Sequence, residues 1–202
     1  MARKSVSAEP PRTPARPAPA ADRIRRSARE LFYLRGIRAV GVDAIVAEAG
    51  VTKPSLYRSF PSKDELAASY LRDYEAEFWR RFDAAVQAHP GDPRAQVLAY
   101  FDGLAERATR PEGYRGCGLS NAVVEYPEPD HPARLVSVAH KRELRERLAA
   151  MARDMGARDP QALGDGLLLM LEGAFVSGQI FGADGPAVHL RAAADRLIQA
   201  SL

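Results

Sequence analysis

The chain has 202 residues, 46% of them hydrophobic, which suffices for a real core in one large domain or in a small one beside a larger one. No apolar run approaches the roughly 20 residues that span a bilayer, and the first twenty residues lack the apolar centre of a signal peptide, so a cytoplasmic protein with no membrane partner is expected. A single cysteine, Cys117, excludes an internal disulfide and a multi-cysteine zinc site.

The net charge of +3 is unevenly placed. Residues 1–65 carry thirteen Lys/Arg against seven Asp/Glu, and the remainder sixteen against nineteen. That asymmetry puts a polyanion-binding surface at the amino end. Residues 1–21 contain five prolines and the basic residues Arg3, Lys4, Arg12 and Arg16, with few large apolar groups to offset ordering entropy. A disordered, basic, Pro-rich tail is expected there. Asp22 is expected to cap a first helix running to about Arg35, whose Ile24, Ala28, Leu31 and Phe32 form a bracing face.

Residues 42–60 read as two short helices with a tight turn. Val42, Ile45, Val46 and Ala49 recur at helical spacing, and Gly50 supplies the positive φ that a helix end favours. Thr52 caps the second helix, and Pro54 falls in its first turn, where a missing N–H breaks no intrahelical bond. Leu56 and Phe60 face inward with Val51, leaving Lys53, Ser55, Tyr57, Arg58 and Ser59 outward. So short a helix with so polar a face buries too little to exist for packing, which suits a reading head. Ser62-Lys63-Asp64-Glu65 then forms a capping box that opens a long helix.

The run Arg29-Glu30-Leu31-Phe32…Gly36…Val42-Asp43…Ala49-Gly50-Val51-Thr52-Lys53…Leu56-Tyr57…Phe60-Pro61-Ser62-Lys63-Asp64-Glu65-Leu66 resembles the amino-terminal domain of TetR-family transcriptional regulators over about residues 24–70. Val46 stands where the family more often has alanine, and Pro54 where it more often has glycine. The resemblance implies a helix-turn-helix in which Thr52, Lys53, Ser55, Tyr57 and Arg58 occupy DNA-recognition positions and Lys63 grips phosphate. The side-chain chemistry agrees: Lys53 and Arg58 can donate to guanine O6/N7, and Ser55 and Tyr57 can bond phosphate or pack on a thymine methyl. Arg23, Arg25 and Arg26 can neutralise further phosphates, making affinity salt-dependent without choosing sequence.

Further along, a long helix is expected from Lys63 to about Ala88. His89-Pro90-Gly91 stops it, and Asp92-Pro93 restarts the chain to about Thr109. A loop from Arg110 to Gly116 precedes a short helical stretch to Tyr126. His131-Pro132 opens a helix to about Met155, Asp159-Pro160 another to about Ile180, and Gly185-Pro186 the last. No period-2 strand pattern occurs. The expectation is an all-α protein of about nine helices: a tail over 1–21, a three-helix DNA-binding head over 22–68 and a larger helical domain over 69–202. The stretch Arg115–Pro127 with His131-Pro132 also looks like part of the carboxy-terminal domain of one subgroup of these regulators.

The resemblance further implies a homodimer, since one short helix reads few base pairs. The last two helices are the candidates for its interface: Leu167–Leu171 is apolar nearly all round, and Gly173, Ala174, Ser177 and Gly178 are small. A regulator of this type also needs an effector cavity for a small molecule. Trp79, Phe82, Tyr100, Phe101, Tyr114, Met170 and Phe175 are its expected apolar lining, with Asn121 and His140 as polar contributors. Cys117 beside Arg115 reads as an inert buried thiol in preference to a redox sensor. No cofactor motif, metal-ligand spacing or catalytic constellation is found.

The reading is therefore a repressor released from a palindromic double-stranded DNA operator by a small molecule. The alternatives are an activator of the same fold, a non-specific helical DNA-binding protein, and a helical binding protein or enzyme whose hairpin is only structural.

Overall fold

The computed structural model describes residues 18–110 and 112–202. Among them are nine α-helices and no strand. The first three are α1 (Ala20–Arg35) and the short α2 (Val42–Ala49) and α3 (Lys53–Ser59). Then come α4 (Lys63–Ala88), α5 (Pro93–Ala108), α6 (Gly118–Glu125), α7 (Pro132–Asp154), α8 (Pro160–Phe181) and α9 (Leu190–Ser201), with two 3-10 turns between the last pair.

Local sequence explains most of these boundaries. The Thr52 hydroxyl accepts from Ser55 N–H, Ser62 from Glu65, Asp92 from Ala95 and Asp159 from Ala162, so each helix start offsets an otherwise orphaned donor. His131 caps α7 with Nδ1, which accepts from the Ala133 N–H at 3.2 Å. Gly50 ends α2 in the left-handed region at φ 60°. One start differs from expectation. Helix α1 begins at Ala20, with Pro19 before it and no side-chain cap, so Asp22 sits inside the first turn instead of capping it. Two consecutive alanines favour helix strongly enough to extend it upstream of the acidic residue. The expected tail thus ends before Ala20, and its residues 1–17 lie outside the described residues.

Helix α1 packs on α2, α3 and α4, and Ile24, Ala28, Phe32, Ile45 and Leu56 are buried between them. Helix α4, about 39 Å long at 1.5 Å per residue, continues from this group into α5–α9. There α7 lies along α8, α4 packs on α5 and α7, and α9 closes against α5 and α8. One continuous core runs from Ile24 to Ile198.

Helix α8 departs from the expectation that no apolar stretch approaches bilayer-spanning length. With the turn after it (Pro160–Asp184) it is the one helix among the described residues long and apolar enough to cross a membrane by length and composition. The cause is that it is apolar on two sides. Leu163, Leu167, Leu171, Ala174 and Phe175 enter the core, while Leu169, Val176 and Ile180 are exposed on the opposite side.

Candidate DNA-reading surface and the cavity behind it

Leu56 is fully buried and Phe60 nearly so, fixing the roll of α3. Burial of one such side chain contributes about 1.5–3 kcal/mol. With that face fixed, Thr52, Lys53, Tyr57 and Arg58 are exposed and Ser55 is half-buried. The expected recognition residues therefore share one solvent face. Two of them are already engaged: Lys53 pairs with Asp43 of α2 at 2.7 Å, and Thr52 is the cap. The hydrogen bond that Lys53 donates to the Asp43 carboxylate raises its pKa, so the lysine is charged. Because the pair is exposed, exchanging Asp43 for a base edge costs little.

The flanking basic residues divide by role. Arg23 donates to the Gly50 carbonyl at 3.3 Å, bracing the turn between the two short helices. Arg25 lies over the Phe60 ring, and Arg26 is exposed. Lys63 donates to the Arg38 carbonyl at 3.3 Å, and burial lowers its pKa.

Arg38 belongs to a junction between α1–α3 and the rest. Its N–H donates to Glu125 Oε2 at 2.7 Å, its guanidinium pairs with Glu128 at 3.0 Å, and it lies over the Tyr126 ring. The His131 ring stacks on Tyr126 with centroids 3.7 Å apart. Burial, helped by Asp64 and Glu125, pushes the Tyr126 hydroxyl up to about 12. The stretch around residues 115–132 thus meets the amino-terminal helices, as α4 does.

A second junction surrounds a cavity of about 440 Å³ between α1, α4, α5, α8 and the loop before α6. Tyr33 and Leu34 reach it from α1, Tyr70, Tyr74 and Phe78 from α4, and Tyr100, Leu104 and Arg107 from α5. The hydroxyls of Tyr33 and Tyr74 both donate to the Gly116 carbonyl at 3.2 Å. Gly116 has φ 69°, and an added Cβ would lie 2.8 Å from the Phe175 carbonyl oxygen, so glycine is required on both counts. Burial raises the pKa of Tyr33, Tyr70, Tyr74, Tyr100 and Tyr114, so these hydroxyls stay protonated as donors.

Of the residues expected around a cavity, Tyr100, Tyr114 and Phe175 line this one. Asn121 lines an adjoining cavity of about 230 Å³ and donates to the Arg115 carbonyl at 2.8 Å. Trp79, Phe82, Phe101, His140 and Met170 line neither. Phe101 and His140 have no exposure at all, and Phe78 packs edge-on against His140 and Trp79 and stacks on Phe82. Arg147 covers the Trp79 ring from outside at 4.0 Å. Sequence reading missed Tyr33, Tyr70 and Arg107; a tyrosine-rich pattern at 33, 70, 74, 100 and 114 was the available signal. Cys117 is buried, with Lys141 Nζ 3.5 Å from its sulfur.

The fold and the exposed face of α3 define an all-helical DNA-binding transcriptional regulator. The profile of bacterial regulatory proteins of the tetR family matches residues 24–70. The chain is similar to SCO4454, a TetR-family transcriptional regulator from Streptomyces coelicolor, at 30% identity and TM-score 0.81 over 91% of this chain and 94% of that one. It is also similar to a tetR-type transcriptional regulator (sav143) from Streptomyces avermitilis, at 31% identity and TM-score 0.77 over 90% and 97% of the two chains. The transcriptional regulator AcuR of Cereibacter sphaeroides is 28% identical over 163 residues, 77% of this chain and 74% of its own. Shorter matches, over less than half of this chain, include repressors and an activator. The chain belongs to the TetR family of transcriptional regulators, whose members bind DNA and act as dimers.

Proposed function

We propose that this protein is a cytoplasmic, dimeric, one-component repressor that leaves a two-fold symmetric operator when a small molecule fills the cavity behind its reading head. The observation that carries the reading is the position of the cavity: α1, which braces the reading helix, forms one of its walls. In this reading residues 22–68 are the DNA-binding domain and 69–202 the ligand-binding and dimerisation domain. Thr52, Lys53, Ser55, Tyr57 and Arg58 meet the major groove near the start of α3, and Lys63 and Arg26 meet phosphates.

The exposed stripe Leu169, Gly173, Val176 and Ile180, at spacings of three and four, supports an interface through α8, with α9 beside it. Gly178 belongs to the opposite face, because a Cβ there would lie 2.8 Å from Ala108. Two protomers related by a two-fold axis place their heads about 34–36 Å apart, one helical turn of DNA, or at larger related spacings. Ligand acts by favouring a conformer in which the heads no longer match both half-sites, which requires tighter binding to that conformer.

The activator reading stands second, favoured by the presence of an activator among proteins matching the head. Selection of bound duplexes from a random DNA library, repeated at two salt concentrations, tests the proposal. A two-fold symmetric consensus bound at least roughly a thousandfold over random DNA is expected. Weak binding without a consensus, lost as salt rises, would overturn it in favour of phosphate contact alone. With the site in hand, in vitro transcription from a promoter carrying it separates repression from activation.

A further inference from the structure

The geometry points to an organic monoanion, a carboxylate on an apolar body, as the occupant of the cavity, with Arg107 as its counter-ion and Tyr114 as its hydrogen-bond donor; this rests on the reading of the cavity as an effector site.

The argument starts from charge. Three arginines on the wall have evident roles or lie in water: Arg81 is held by Glu77 at 2.7 Å, Arg110 pairs with Glu106, and Arg29 is exposed. Glu30 and Glu112 are exposed at the rim. Arg107 differs. It is half-buried on the cavity wall, and its guanidinium forms no hydrogen bond or ion pair among the described residues. Burial, the largest cause, lowers its pKa, as partial removal of a cation from water does. Guanidinium groups so placed normally have a carboxylate partner, since a desolvated charge left unpaired is costly.

A second group is orphaned in the same wall. The Tyr114 hydroxyl is buried and has no hydrogen-bond partner among the described residues. Its ring is seated deliberately close to α8, where a Cβ on Gly178 would lie 2.7 Å from Tyr114 Cε1. Arg107 on α5 and Tyr114 on the loop before α6 line the same cavity, so a cation and an orphan donor both face its contents. Two donors and a single positive charge match one carboxylate group. Phe78, Leu104 and Phe175 leave the remaining space apolar, and the volume lies in the range of small-molecule sites.

The test uses the full chain and three acids, benzoate, cinnamate and octanoate, against benzamide, cinnamamide and octanamide. Calorimetric titration and thermal melts are run on wild type, Arg107→Gln, Arg107→Lys and Tyr114→Phe. At least one acid is expected to bind at millimolar concentration or below, and more tightly than its amide. Arg107→Gln should weaken it roughly 10- to 100-fold, the range for a charge-assisted hydrogen bond, with Arg107→Lys in between.

Without added acid, Arg107→Gln and Tyr114→Phe should melt no lower than wild type, because the first removes a half-buried unpaired charge and the second a buried unpartnered hydroxyl; a structural role would lower the melt. Amides binding as well as acids, unchanged acid affinity in Arg107→Gln, or silence of all three acids would overturn the carboxylate assignment. An amide that binds and releases the selected duplex would leave the effector-site reading standing. Acid binding with no effect on duplex affinity would support the anion site and overturn the effector reading instead.

Discussion

The hydroxyl of Tyr33 on α1 donates to the carbonyl of Gly116 at 3.2 Å and accepts the Arg115 N–H at 3.0 Å. One side chain therefore joins the helix that braces the reading head to the loop that covers the cavity. Removing the hydroxyl by Tyr33→Phe keeps the ring, which stacks on Tyr74, and deletes both bonds. Stability should fall by about 1–2 kcal/mol, and affinity for the selected duplex should change less than about threefold in the absence of effector. The factor by which effector weakens DNA binding should shrink by at least about fivefold. Fluorescence anisotropy with labelled duplex, with and without effector, reads both quantities. An unchanged coupling factor would show that the signal travels through the Arg38–Glu125 junction instead.

Arg58 and Arg26 should respond differently to truncation. Arg58→Ala, on the exposed face of α3, should weaken operator binding by about 1–3 kcal/mol and relax the consensus at one position of each half-site. Arg26→Ala should weaken all duplexes alike and reduce the salt slope by about 1. Competition titrations across single-base operator variants at several salt concentrations distinguish the two patterns.

His140 makes stability depend on pH. Burial, with Lys141 and Arg147 nearby, holds its folded pKa at about 3 against an ordinary value of 6.5. The unfolded chain therefore binds a proton that the folded chain refuses between those values. The stabilisation is complete above pH 6.5 and declines as pH falls toward 3, by up to about 1.4 kcal/mol per unit. His140→Phe should flatten this part of the profile, measured by urea denaturation between pH 7 and 4.5. Parallel profiles for variant and wild type would show that other groups govern acid sensitivity.

Ile180→Arg places a charge in the exposed stripe of α8. The melting of the isolated protomer should barely change, because Ile180 is two-thirds exposed and touches no core. Light scattering should show a monomer, and operator affinity should fall at least roughly a hundredfold as the second half-site contact is lost. A variant that remains dimeric would place the interface elsewhere.

Helix number and the order of elements were legible in the sequence because caps and breakers are local: Thr52, Ser62, Asp92-Pro93 and Asp159-Pro160 each mark a start found in the structure. The polar face of α3 was legible for the same reason. The cavity was not. Helical periodicity tells that Phe82 and Phe101 point inward, but not that they fill the interior while Tyr70 and Tyr100 border a gap. Arg107 escaped notice because a charged residue near a helix end reads as solvated. The bond between Tyr33 and Gly116 spans 83 positions, and no local pattern encodes it.

Helix α8 carries Phe175 to the cavity wall and yields space to the Tyr114 ring at Gly178, while its outer side shows the apolar stripe. A protomer contact on that stripe would stand one helix diameter, about 10–12 Å, from the bound molecule. A rigid rod cannot roll to fit one neighbour without presenting a changed profile to the other. Subunit affinity and ligand affinity would then be thermodynamically linked, each altering the other by the same factor. The ligand concentration that half-releases DNA would accordingly drift with the amount of protein in the cell.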